Sequence, residues 1–143
     1  MTHQTNSVEE TQNFAQNLAK KYTQGGIIAL IGPLGSGKTA FTQGFAQGLD
    51  IKNKLLSPTF VLMRQYKIPH NPKGLLYHID LYRLENTQQI TGLGLEEIFA
   101  NPHNIILIEW ADKLGSLLPK QAAKITFRTV NVTKREITVI SRP

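Results

Sequence analysis

The apolar positions of the chain open on a helical period. Phe14, Leu18 and Tyr22 recur every four residues, behind Ser7 and Glu10 in capping-box spacing, so residues 8–23 predict an amphipathic helix ended by Gly25-Gly26. The run IIALI, 27–31, breaks that period. It is continuous, apolar and too short for a helix, which suits a strand buried on both faces. From Lys38 to Leu49 the helical stripe returns as Phe41, Phe45 and Leu49, while Gly44 and Gly48 permit close packing at some cost in helix propensity.

Further along, FVLMRQY (60–66) and LLYHID (75–80) predict strands, and the short turn-rich link IPHNPKG between them favours an antiparallel hairpin. A short helix at LEEIFA (95–100) leads into IILIE (105–109), a second buried-type strand whose return after a helix implies a parallel crossover. KITFRTV and EITVIS alternate about a turn near 131–135. With no internal repeat, the expectation is one α/β domain over residues 1–143. Its central sheet is mixed and mostly parallel, flanked by helices and carrying antiparallel hairpins.

Length and composition agree: 143 residues fit one domain, and 41% apolar content supports a core. The chain has no cysteine, which excludes disulfides and thiolate metal sites and matches a reducing compartment. No signal-like start and no apolar run near the ~18 residues of a spanning helix are present, so a cytoplasmic location without membrane contact is expected. The net charge of +6 is uneven: residues 113–143 hold seven basic side chains against Glu136 alone. Such a tail suits an RNA or acidic-protein face, and equally a solvated strand edge protected from mispairing.

The chemistry lies between the first buried strand and the second helix. Gly32, four residues, then Gly37-Lys38-Thr39 match the Walker A pattern without a mismatch. Such a loop curls its amides toward phosphate oxygens at a helix N-terminus. Gly35, Ser36, Gly37 and Ala40 would supply amides, Lys38 would bridge the β- and γ-phosphates, and Thr39 would give its hydroxyl to Mg²⁺. Pro33 removes one amide at the outer part of the loop. No base-reading N-K-x-D motif follows, so ATP is the expected nucleotide. The chain is P-loop NTPase-like.

Magnesium chemistry on such a loop needs an acid at a buried strand end, and two are present, Asp80 and Glu109. Glu109 follows the better apolar run and is assigned to Mg²⁺; Asp80 is left to orient water or the outer metal shell. An acidic strand terminus also caps neighbouring helices, so a structural reading stands beside each. Thr59 in SPTF is either a γ-phosphate-side residue or a turn threonine. Lys38, Thr59 and Asp80 are the expected catalytic side chains. His78 shares a strand face with Asp80 and either pairs with it or is a buried structural histidine. Trp110 flanks the nucleotide or joins the core, and Arg83 meets phosphate or a partner or is a plain surface arginine. The segment SVEET, with Glu9 and Thr11, is expected to border the base.

Together, GPLGSGKTAF, SPTF, YHIDLYRL and LIEWAD resemble the TsaE (YjeE) family of small bacterial P-loop ATPases over residues 7–112. The resemblance implies an ATPase, slow on its own, needed to make threonylcarbamoyladenosine at position 37 of tRNAs that read codons beginning with A. It also implies that the protein acts on a TsaB–TsaD complex, which transfers a threonylcarbamoyl group supplied as an adenylate by TsaC. ATP hydrolysis then drives or resets that complex. Contact with tRNA is thus indirect, and DNA is not expected. By the same resemblance Lys38 and Thr39 match the P-loop pair, Glu109 the magnesium-binding glutamate, Asp80 the essential aspartate and Thr59 the threonine of SPTF, while Arg135 looks like a basic residue near the nucleotide. Pro33 and Ser36 depart from the acidic residue and alanine common there. Two other readings of the residues remain: a small nucleoside or metabolite kinase, and a non-hydrolysing ATP-binding module for RNA or protein.

Overall fold

The two uninterrupted apolar runs become neighbours at the centre of one sheet. The computed structural model describes residues 1–52 and 63–140. Along the chain run β1 (Thr2–Thr5), α1 (Val8–Ala19), β2 (Gly26–Ile31), α2 (Lys38–Gly48), β3 (Met63–Lys67), β4 (Leu75–Asp80), α3 (Leu95–Ala100), β5 (Ile105–Glu109), β6 (Ala123–Thr129) and β7 (Arg135–Ile140). Turns of 3₁₀ helix cover Thr87–Leu93 and Ala111–Leu117.

The strand order is β1-β7-β6-β2-β5-β4-β3. β2 pairs parallel with both β5 and β6, and β5 parallel with β4. The flanks are antiparallel, β3 on β4 at one side and β7 between β6 and β1 at the other. Both the expected crossover and the expected hairpins are present; the first three residues of the expected strand 60–66 lie outside the described residues. Ile28, Leu30 and Leu107 pack under α1 and α2. Ile27, Ala29, Ile106 and Ile108 face the layer of α3 and the 3₁₀ turns. Burial on both faces is why β2 and β5 read as continuous apolar runs.

β1 was not legible in the sequence. Its four residues, THQT, are polar, and its pairing partner β7 lies at the far end of the chain, Thr2 opposite Thr138. α1 begins as expected, with the Glu10 amide donating to Ser7 Oγ at 3.1 Å. The Glu10 carboxylate accepts from the Asn6 amide at 3.2 Å, one residue before the usual box partner. The helix is shorter than the expected 8–23. After Ala19, the amides of Lys21 and Tyr22 bond three residues back, at 3.0 and 2.9 Å, so the last turn tightens and leaves the α register.

α1 and α2 meet backbone to backbone. A Cβ at Gly44 would stand 2.3 Å from the Gln12 carbonyl oxygen and 2.6 Å from its Cα, and one at Gly48 would stand 2.5 Å from the Gln16 carbonyl oxygen. Along the same seam Gln16 donates to Gln47 at 2.7 Å. The glycines thus let α2 lie against α1, with Phe41 and Phe45 fully buried on the sheet side. This seam orients the start of α2, and with it the preceding loop.

Three of the seven C-terminal basic residues are committed within the fold. Arg128 pairs with Glu136 at 3.0 Å across β6 and β7, Lys113 donates to the carbonyls of Tyr82 and Leu84, and Arg135 turns toward the loop after β2. Among the described residues no helix is long and apolar enough to cross a membrane.

The helix seam makes a direct prediction. Gly44→Ala gains helix propensity of about 1 kcal/mol, yet its methyl must push rigid backbone aside at an overpacking cost of about 1–3 kcal/mol. Thermal unfolding should show a lower Tm for Gly44→Ala than for wild type; an unchanged or higher Tm would mean that the helices separate freely.

Candidate nucleotide-binding site

β2 ends at Ile31, and the chain turns through residues 32–37 before α2 starts at Lys38. Gly37 makes that turn with φ +103, a conformation that side-chain-bearing residues rarely adopt. The first amides of α2 have no partner within the helix and point out of its N-terminus. Lys38 is only 5% exposed. Its Nζ donates to the carbonyls of Gly32 and, at 3.0 Å, Pro33, and sits 4.1 Å from the centre of the Trp110 ring.

Asp80 and Glu109 end the parallel strands β4 and β5 as direct register partners. Both act on Lys38. Burial pulls the lysine below its ordinary pKa, and the charges of Glu109, Asp80 and Asp112 oppose that shift. Asp80 is raised above the ordinary carboxyl value, by burial foremost and by the Glu109 charge as well, against the Tyr82 amide that donates to it at 3.0 Å.

A cavity of about 340 Å³ opens over this group. Of the residues singled out from the sequence, Gly35, Ser36, Gly37, Lys38, Thr39, Asp80, Glu109, Trp110 and Arg135 line it. Trp110 adopts a left-handed backbone, φ +59, and its amide bonds to the Leu30 carbonyl at 3.1 Å, linking the end of β5 to β2. Arg135 donates through Nη2 to the Gly35 carbonyl at 3.0 Å and through Nη1 to that of Asn131 at 2.8 Å, tying the β6–β7 turn to the loop.

Other expected residues stand outside the cavity lining, and one pairs differently. Glu9 is exposed and does not line the cavity; its neighbour Val8 does, because successive helical side chains point in different directions. Thr11 is buried, its hydroxyl 2.7 Å from that of Thr5, and its methyl lies 3.9 Å from where a Cβ on Gly37 would stand. Ala40, expected to supply an amide, lies in the first turn of α2 outside the cavity lining, as does the exposed Arg83. Thr59 lies outside the described residues. His78 does not pair with Asp80. Its Nε2 lies 2.6 Å from Oε2 of Glu109 on the adjacent strand, whereas neighbours two apart on one strand are about 6.6 Å distant. Sequence reasoning also missed Val8, Leu34 and Tyr82 at the cavity, of which only Tyr82 carried a signal, two residues after the strand-end acid.

Does the site suit magnesium? Among the described residues no group of three or more His, Asp or Glu side chains could hold a metal by themselves. Magnesium on a phosphate loop needs only one or two protein oxygens, the rest coming from phosphates and water. Thr39 and Glu109 offer these on one cavity, and the buried Ser36 hydroxyl has no partner among the described residues. The donor set fits.

A glycine-bent loop between the central strand and a helix, facing acids at the carboxyl ends of adjacent parallel strands, defines a P-loop nucleotide-binding domain. Within that class, the chain belongs to the TsaE family, whose model, described as threonylcarbamoyl adenosine biosynthesis protein TsaE, matches residues 5–137. It is 38% identical to the tRNA threonylcarbamoyladenosine biosynthesis protein TsaE of Bacillus subtilis, covering 91% of this chain and 78% of that one. It is 39% identical to the protein of the same name from Rickettsia bellii, over 91% and 88%. The crystal structure of Bacillus subtilis YdiB superposes with a TM-score of 0.81 at 32% identity, covering 99% of this chain and 84% of that one.

The Asp80 shift has a sign that can be tested. The folded chain keeps this proton at pH values where the unfolded chain has lost it, so stability present in acid declines as pH rises through the folded value. Asp80→Asn retains the acceptor for the Tyr82 amide and removes the charge. In nucleotide-free protein it should raise Tm by a few degrees at pH 7, with the gain shrinking toward pH 4. Equal gains at both pH values would refute the electrostatic origin.

Proposed function

We propose that this chain binds ATP with Mg²⁺ and hydrolyses it, and that hydrolysis drives or resets a TsaB–TsaD complex making N6-threonylcarbamoyladenosine at position 37 of tRNA. The observation that carries this reading is the buried Lys38 in a complete Walker A loop, facing Asp80 and Glu109 across one cavity. Membership of the TsaE family supports the pathway, and the resemblance described above supports the partners.

In this mechanism Lys38 exchanges the carbonyls of Gly32 and Pro33 for phosphate oxygens, which are charged and therefore stronger acceptors. The loop amides and the N-terminus of α2 hold the remaining phosphate charge. Thr39 and Glu109 would hold Mg²⁺, which neutralises charge developing between the phosphates when bound. Asp80, at the cavity and tilted toward its protonated form by burial, orients the attacking water and takes up its proton. Arg135 steadies the loop through Gly35. Thr59 would help to position the water.

The test is ATP turnover with and without TsaB–TsaD, together with reconstituted tRNA modification. Lys38→Ala should lower kcat/KM about 10²–10³-fold, as loss of a transition-state donor does. Asp80→Asn should lower kcat about 100-fold or more while nucleotide affinity stays within about threefold. Wild-type turnover no faster than that of Asp80→Asn, in either condition, would overturn the hydrolytic reading; tight ATP binding in that case would favour a non-hydrolysing module.

A further inference from the structure

His78 is 3% exposed and Glu109 4% exposed, and they meet at 2.6 Å through Nε2 and Oε2. A carboxylate oxygen accepts, so Nε2 carries the hydrogen and donates it. The other ring nitrogen, Nδ1, is buried without a hydrogen-bond partner among the described residues. Glu109 is therefore the one polar anchor of this imidazole within the described structure. Burying a ring with half its hydrogen-bonding capacity unmet costs free energy that a leucine of similar size would not. What the histidine contributes, and leucine would not, is the bond to Glu109.

That bond restrains a side chain with three rotatable bonds. Glu109 reaches the cavity from the end of β5, beside Asp80 and across from Lys38. With Oε2 held by the ring, Oε1 is the oxygen left to meet a cation. Asp80 is fastened separately, at its own turn, by the Tyr82 amide. The two acids thus have different supports, one from a neighbouring strand and one from its own backbone.

We propose that His78 is a positioning residue: its Nε2–H fixes the Glu109 carboxylate so that Mg²⁺ arriving with ATP meets an oriented ligand. This rests on the reading of Glu109 as the magnesium-binding carboxylate. Hydrogen bonds that orient metal ligands are worth about 10–100-fold in metal affinity.

The experiment is calorimetric titration of ATP into folded protein, once with Mg²⁺ and once with EDTA. The ratio of the two affinities is the readout. His78→Leu should reduce that ratio about tenfold or more, with the affinity in EDTA essentially unchanged. His78→Gln, whose amide can reach the position of Nε2, should keep most of the ratio. In a Glu109→Gln background, His78→Leu should cause no further loss. Should the leucine variant fail to fold, His78→Gln and His78→Asn decide, because the asparagine amide is one bond shorter and should lose what glutamine keeps. A wild-type ratio that persists in His78→Leu, or equal ratios for glutamine and asparagine, overturns the His78 role alone. Equal ATP affinity in Mg²⁺ and EDTA for the wild-type protein overturns the magnesium assignment of Glu109, and this proposal with it.

Discussion

A lysine ammonium sealed to 5% exposure is the constraint on which this molecule is organised. An isolated charge in that position would be prohibitive; it persists because carbonyls, an indole face and the charges of Glu109, Asp80 and Asp112 offset its burial. The compensation comes from three separate places in the chain: the loop itself, the end of β4, and the end of β5 with the residues just after it. Register brings these groups together around the ammonium. The parallel alignment that sets Asp80 opposite Glu109 is therefore as much a part of the phosphate loop as its glycines are.

The scaffold meets this demand with elements from both ends of the chain. Behind the loop, the glycine seam lets α1 press on α2, and Thr11 of α1 lies near Gly37. Above it, Arg135 spans from Gly35 to the turn between β6 and β7. The loop is thus clamped between the first helix and the last hairpin, elements more than a hundred residues apart in sequence. β1 closes that arrangement by pairing with β7 just before α1 begins.

What the sequence revealed, and what it hid, divides along a physical line. β2, β5 and the stripe of Phe41 and Phe45 were legible because burial on two faces or one leaves a periodic mark in a single segment. The Walker A loop was legible because phosphate binding fixes residue types at fixed spacing. β1 left no mark, being a short polar edge strand whose existence depends on β7. The His78–Glu109 bond was hidden for the same reason: it follows from inter-strand register, while the sequence offered only the intra-strand neighbour Asp80. Glu9 and Thr11 were expected near the base from their segment; helical rotation sends one to solvent and the other inward, and gives the cavity Val8.

The same geometry weighs the alternative enzyme. A kinase must hold an acceptor beside the γ-phosphate, in space continuous with the nucleotide site and closed to water. Here the loop cavity is about 340 Å³, and two larger cavities among the described residues, of about 460 and 540 Å³, share no lining residue with it. They lie along β3, β4 and α3 and beside the 3₁₀ turns. Among the described residues, that separation favours water as the acceptor in the proposed reaction. Under the proposed hydrolysis, the consequence of the reaction is carried by the protein itself: loss of the γ-phosphate frees Lys38 to return to the Gly32 and Pro33 carbonyls. That exchange bears on Trp110 at the end of β5 and on the loop that Arg135 joins to the last hairpin. Under that reading, this rearrangement is the output of the domain.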